Sequence, residues 1–455
     1  MFLLALGRLR RRPAAFSGLA VALFLLIATT TLFGSLAAAE ITAPEAVRDT
    51  KVAGPGLMVI AGVFGEIAVL VAFFVVVNAT GFALRRQLRE LALLRTIAAT
   101  PRQVRRLARV QLLVTTLAVA APGGLAGTAA AHSFLTALHE RGMAAPDLRL
   151  PTTPLPALIA TAITLAVGLA ASAVAVRRIS RIAPAAALTA TTTEHGRTGV
   201  LRLLAGLGAL VGGGMLLRLA ATRPAEELDK AGQAALFGSL VLLVAVALTG
   251  PLAARALAAA LGAPMRLLMP GTGWLADANL RGYARRLTSA VVPVALLVGL
   301  SATMSIMTST AEHAARATSA TSATDVWLRQ AELALLTCFA AVSTINTVVA
   351  VTAERRREFA LLRLVGATRR QLLRMLTAEA ALTTAVGVLL GAAVAAAATA
   401  AFSTAATGSV LPSVPAAACG WIVLGAATLT VPGILTTGLV TIQGAPTEQA
   451  GAGRD

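Results

Sequence analysis

Lysine is almost missing from this chain: Lys51 and Lys230 are the only two. No G-x-x-x-x-G-K-[ST] stretch occurs, so the chain carries no P-loop to cradle ATP phosphates. Cysteine is equally scarce. Cys338 and Cys419 both fall inside apolar runs and give neither a disulfide framework nor a zinc-ligand spacing. The four histidines, His132, His139, His195 and His313, are scattered. They make no metal-ligand pattern, and no nucleophile–base pair can be placed. The chain is therefore read as a non-enzyme with no catalytic residue, no bound cofactor and no metal of its own. Charged residues make up only 13% and aromatics 4%, so the apolar mass is mostly Ala, Leu and Val.

What is abundant is hydrophobic sequence: 57% of 455 residues, with a mean hydropathy of +0.80. A soluble domain of this length has too little interior to hide that much apolar surface. Runs of about 20 residues, long enough to cross a bilayer, lie near 15–38, 57–83, 108–131, 154–176, 199–221, 233–258, 288–310, 331–352, 376–402 and 417–441. The expected fold is thus an all-α integral membrane protein with about ten transmembrane helices. The N-terminal basic segment and apolar run resemble a signal peptide, but the run is over twenty residues and has a counterpart deep in the chain. It is read as a retained first span.

The net charge of +19 follows this topology. With the N-terminus inside, the inner segments collect about 30 arginines and about 8 acidic residues. The outer segments collect about 9 basic and about 11 acidic residues. This asymmetry places both termini in the cytoplasm, and no nucleic-acid partner is needed to explain it.

One segment occurs twice. RELALLRTIAATPRQVRR (89–106) and REFALLRLVGATRRQLLR (357–374) share eleven of eighteen positions at a separation of 268 residues. Aligning on it pairs spans one to four with spans seven to ten and leaves spans five and six as an insert. The expected boundaries are 1–190 for the first four-helix repeat, 191–262 for the two-helix linker and 263–455 for the second repeat. An even number of spans separates the halves, so they lie in the membrane in the same orientation, as a parallel repeat.

In each copy the second span runs on into the cytoplasm as helix and stops at AAT or GAT, where Gly366 suits a left-handed helix end. Thr100 or Thr368 then caps the next helix, with Gln103 or Gln371 three residues on, a capping box. In the first copy Pro101 occupies the first helical position, where its missing N–H costs nothing. Leu91, Leu94 and Ile97 fall at helical spacing, as do Leu362 and Val365, with arginines on other faces. The pattern describes a rigid cytoplasmic knob presented twice. A plain positive-inside anchor would explain the arginines but not the joint recurrence of glutamate, apolar face and capped turn.

REFALLRLVGATRRQLLRMLTAEAAL resembles the signature of FtsX-like permeases, the membrane subunits of MacB-type (type VII) ABC transporters. RELALLRTIAATPRQVRRLARVQLLV is a weaker copy with Ala98 where the other has Gly366. The resemblance implies a permease subunit working with a separate cytoplasmic ABC ATPase dimer that binds the ATP and Mg. It implies that the turn after the second span contacts that ATPase. Carried over, the coupling positions are Arg89, Glu90, Leu94, Arg95, Ala99 and Thr100, and Arg357, Glu358, Leu362, Arg363, Gly366, Ala367 and Thr368. Many members carry a large extracellular domain after a first span, and this chain has none. Export or extraction of an amphiphilic substrate from the membrane (lipid, lipoprotein, peptide or drug) is the expected function. A non-transporting mechanotransmission or sensor subunit is the alternative. The expected setting is a bacterial plasma membrane, with one permease chain per complex.

Three polar residues lie at membrane depth. Glu66 is about three turns inside the second span, where a carboxylate is costly and marks a candidate site. The plainer reading is that it snorkels outward or pairs with a neighbouring helix, and its repeat mate is Ala334. Asn78 and Asn346 are repeat mates near the inner ends of their spans, a place for interhelical hydrogen bonds. The small-residue runs at 123–127 and 387–391 suit close helix packing.

Overall fold

The computed structural model describes residues 17–50, 52, 56–86, 101–180, 200–224, 227–268, 284–318, 323–353 and 356–443. Among these it is all helix, without a strand. The helices are α1 (Ser17–Thr42), α2 (Glu45–Arg48), α3 (Leu57–Arg86), α4 (Pro101–Glu140), α5 (Leu155–Ser180), α6 (Val200–Ala221), α7 (Leu228–Leu268), α8 (Ala284–Thr318), α9 (Ala323–Ala353), α10 (Arg356–Leu364), α11 (Arg369–Thr407) and α12 (Ala416–Gln443). All but α2 and α10 fall on the ten apolar runs. Eight of them contain a segment long and apolar enough to span a membrane. The other two, α3 and α9, are helices of 30 and 31 residues with shorter apolar stretches, Leu57–Glu66 and Leu333–Val349.

The chain forms two compact units: 1–193 with 322–342, and 194–321 with 343–455. In the first, α1 is the central helix and packs against α3, α4 and α5. Glycines set the closest approach. A Cβ on Gly123 would meet Ile27 at 3.0 Å, and one on Gly127 would strike the Ala28 carbonyl and lie 2.7 Å from Thr31. Phe33, Phe64 and Phe134 pack at the far end of these helices with Trp327, at centroid separations of 5.5–6.4 Å. The Arg141 guanidinium lies 4.3 Å above the Trp327 ring. A chain poor in aromatics thus concentrates four of them at one place.

In the second unit α8 is central and packs against α7, α11 and α12. Every residue from Ala290 to Met307 is buried. Gly391, the repeat mate of Gly123, again abuts the first helix of its half: its missing Cβ leaves room for the Ala295 carbonyl at 2.8 Å. Hydroxyls buried here bond within their own helix, Thr303 donating to the Gly299 carbonyl at 2.6 Å and Thr310 to that of Ile306 at 2.7 Å. Back-bonding of this kind satisfies a hydroxyl where no water can. Pro293 lies within α8, and its carbonyl accepts from Thr344 of α9 at 3.1 Å.

The insert helices α6 and α7 belong to this second unit. Gly206 and Gly213 of α6 let α7 approach, with Thr249 and Leu242 in the space of the missing Cβ atoms. Pro251 of α7 has no N–H, so the Ala247 carbonyl loses its partner one turn back. Arg202 of α6 supplies it, donating from Nη2 to Ala247 at 2.8 Å and from Nε to Leu248 at 3.0 Å. This is why an arginine is retained inside an apolar run.

Gly127→Ala should lower thermal stability in detergent by the equivalent of about 1–3 kcal/mol, because the new methyl meets backbone. Gly208→Ala, where a Cβ meets nothing within 4 Å, should leave stability unchanged or slightly raised. Equal melting temperatures for both variants would refute the close-packing account of α1 and α4.

Candidate functional site

The first copy of the repeated turn, with Arg89, Glu90, Leu94, Arg95, Ala99 and Thr100, lies outside the described residues, as does the junction at 354–355 between α9 and α10. The second copy is described. After α10 the chain reverses direction in four residues and enters α11. The Gly366 N–H donates to the Arg363 carbonyl at 3.1 Å and the Ala367 N–H to that of Leu362 at 2.9 Å. These two bonds are a Schellman closure, and it requires the left-handed Gly366, at φ +100°. Thr368 then caps α11. Its Oγ1 accepts from the Gln371 N–H at 3.3 Å, and the Gln371 side chain accepts from the Thr368 N–H at 2.9 Å. The expected capping box is present.

The turn is also fastened to the bundle. Phe359 is 0% exposed and forms a cluster with Val348 of α9, Leu372, Met375 and Leu376 of α11, and Ile434 of α12. Leu362 and Ala367, the two ends of the Schellman closure, pack against the same cluster. The short helix α10 is therefore held on one side by a buried aromatic ring and at its end by paired caps. Its opposite side carries exposed Leu361 and Leu364, and beyond it the first turn of α11 exposes Arg369 and Arg370.

One expectation changes here. Leu362 and Val365 do not share a face: Leu362 packs inward, whereas Val365 is 88% exposed. The helix ends at Leu364, so the closing turn swings Val365 away from the helical register. Phe359, three residues before Leu362, is the inward anchor, and its i, i+3 spacing was the available signal. Glu358 is half-buried, and neither it nor Arg363 is free, since each has an interaction within the chain. Arg357 lies in α10, with its side chain outside the described set.

Of the membrane-depth candidates, Glu66 is exposed on α3 and so does not face the interior of its bundle. Asn346 is half-buried and engaged within the chain. Asn78 lies in α3 with its side chain outside the described residues. The sequence reading passed over another pair, Gln111 and Glu379. They are repeat mates three turns past the two capping threonines, and both are buried. Gln111 Nε2 has no hydrogen-bond partner among the described residues. A polar residue at the same depth in both copies of an apolar run was the signal for them.

Gly366→Val should strain the turn by about 1–2 kcal/mol, and Thr368→Ala should remove the cap at a cost of about 1 kcal/mol. Limited trypsin digestion reads both: cleavage after Arg363, Arg369 and Arg370 should become several-fold faster than in the unaltered protein. Unchanged cleavage rates would show that the caps do not hold the turn.

Residues 62–184 and 332–441 each match the family model of the FtsX-like permease C-terminal domain, together a little over half of the chain. No curated protein matches it in sequence. Each match runs from the second to the fourth span of its half and encloses one copy of the basic turn. Two such domains in tandem, carried on helices able to cross a membrane, identify the chain as a multi-pass membrane protein belonging to the FtsX-like permease family.

Proposed function

We propose that this chain is the permease subunit of an ABC transporter in a bacterial plasma membrane, with both termini cytoplasmic. A separate cytoplasmic ATPase dimer, which binds the ATP and Mg, docks on the two basic turns, one protomer to each. The chain couples hydrolysis to export or extraction of an amphiphilic substrate such as a lipid, lipoprotein, peptide or drug. One permease chain serves one dimer, because each half supplies a turn.

The supporting observation is the division of labour within α10 and its closing turn. The inner side is spent on its own fold, through Phe359, Leu362 and Ala367. The outer edge offers Leu361, Leu364 and Val365 to solvent, beside the exposed Arg369 and Arg370. Burying such side chains in a partner contributes about 1.5–3 kcal/mol each, and flanking arginines give register and charge complementarity. Glu90 and Glu358 belong to the same turns. Glu358 has an interaction within the chain, so reversing its charge disturbs the turn as well as the surface it presents.

Co-purification of the tagged permease with its ATPase tests this. Leu361→Asp/Val365→Asp should weaken ATPase binding at least about tenfold, equivalent to about 1.4 kcal/mol, at unchanged melting temperature. Glu90→Arg/Glu358→Arg should also lose the ATPase. If ATPase recovery is indifferent to all four substitutions, the repeated turn is only a topological anchor.

A further inference from the structure

The loop between α11 and α12, residues 408–415, is built inside out for a segment in water. Val410, Leu411 and Val414 are 65%, 85% and 55% exposed, while its serines bond within the protein. Ser403 and Ser409 both donate their hydroxyls to the Leu411 carbonyl, at 3.0 and 3.3 Å. The Ser413 N–H donates to Thr310 Oγ1 at 3.1 Å, and the Ser413 hydroxyl pairs with Ser309 at 3.2 Å. The Ser409 N–H donates to Thr407 Oγ1 at 3.3 Å, and the Gly408 N–H to the Thr404 carbonyl at 3.1 Å. Pro412 and Pro415 have no N–H to satisfy. Internal bonds of this kind are what the polar groups of a non-helical segment need where water is scarce.

The repeat provides a control at the same position. The loop between α4 and α5, residues 141–154, buries Met143, Ala144, Ala145 and Leu148. It exposes Arg141, Asp147 and Arg149, as a loop in water does. The later loop has the opposite arrangement. No charged residue occurs anywhere from 380 to 447, so nothing holds it out in water. Trp421 is 71% exposed and sits six residues past the end of the loop, about 9 Å along α12.

We propose that residues 408–415 form a rigid wedge seated in the bilayer interface of the leaflet opposite the α10 turn. Val410, Leu411 and Val414 enter the headgroup–acyl boundary, and the partner is the lipid itself. The first half has no such wedge. The two halves therefore meet that leaflet differently, one through a charged aqueous loop and one through an apolar inserted loop.

The test uses the full chain in liposomes of zwitterionic and anionic phospholipid. An environment-sensitive fluorophore is attached at Leu411→Cys or, as control, Arg149→Cys, after Cys338→Ala and Cys419→Ala. The label at 411 should emit at shorter wavelength, be quenched by headgroup-level spin-labelled lipid, and show iodide quenching at least about threefold below that at 149, as interfacial burial requires. A second measurement needs no cysteine removal: a photo-reactive side chain at 411 should form phospholipid adducts, and one at 149 should not. Equal iodide quenching at 411 and 149, or adducts at 411 with protein instead of lipid, would overturn the proposal.

Discussion

Everything in this fold answers to the absence of water in a bilayer core, where each backbone N–H and C=O must find its partner within the protein. Helix meets that demand along nearly the whole described chain. Where proline breaks the pattern, side chains repair it. At Pro251, Arg202 reaches across to the carbonyl that the proline orphans. Buried threonines turn back onto their own helices. With little hydrophobic drive between helices in lipid, contact depends on close approach, and the repeat mates Gly123 and Gly391 provide it in each half against the first helix of that half.

That constraint relaxes where the chain emerges at the basic turn. There the backbone leaves helix for four residues, and local devices take over: a left-handed glycine, a Schellman closure and a capping box. The turn is fixed at both ends and seated on Phe359, packed against the helices beneath it. That rigidity is the physical requirement for a coupling element, because a soft turn would absorb displacement instead of passing it to the bundle.

The spans, the doubled architecture and the capped turn were legible in the sequence because each depends on local signals: apolar length, self-similarity, and Gly or Thr at the right offset. What escaped depends on tertiary contact. The inward role of Phe359 was hidden because leucines at similar spacing competed with it, and Val365 was misplaced because a helical projection does not know where the helix ends. The place of α6 and α7 in the second unit follows from α7 packing against α8 and α11, which no period reveals. The inverted loop at 408–415 was invisible because neutral Ser, Val and Pro read alike whichever side they turn to water.

The central claim is that both basic turns of one chain are docking knobs for two ATPase protomers. Photo-crosslinking from Ile97 and Val365, equivalent positions in the two copies, tests it most directly in the assembled complex. The account predicts that each position alone captures the ATPase, and that a chain carrying both captures two ATPase protomers. Crosslinks from neither position, or from only one of them, would contradict it.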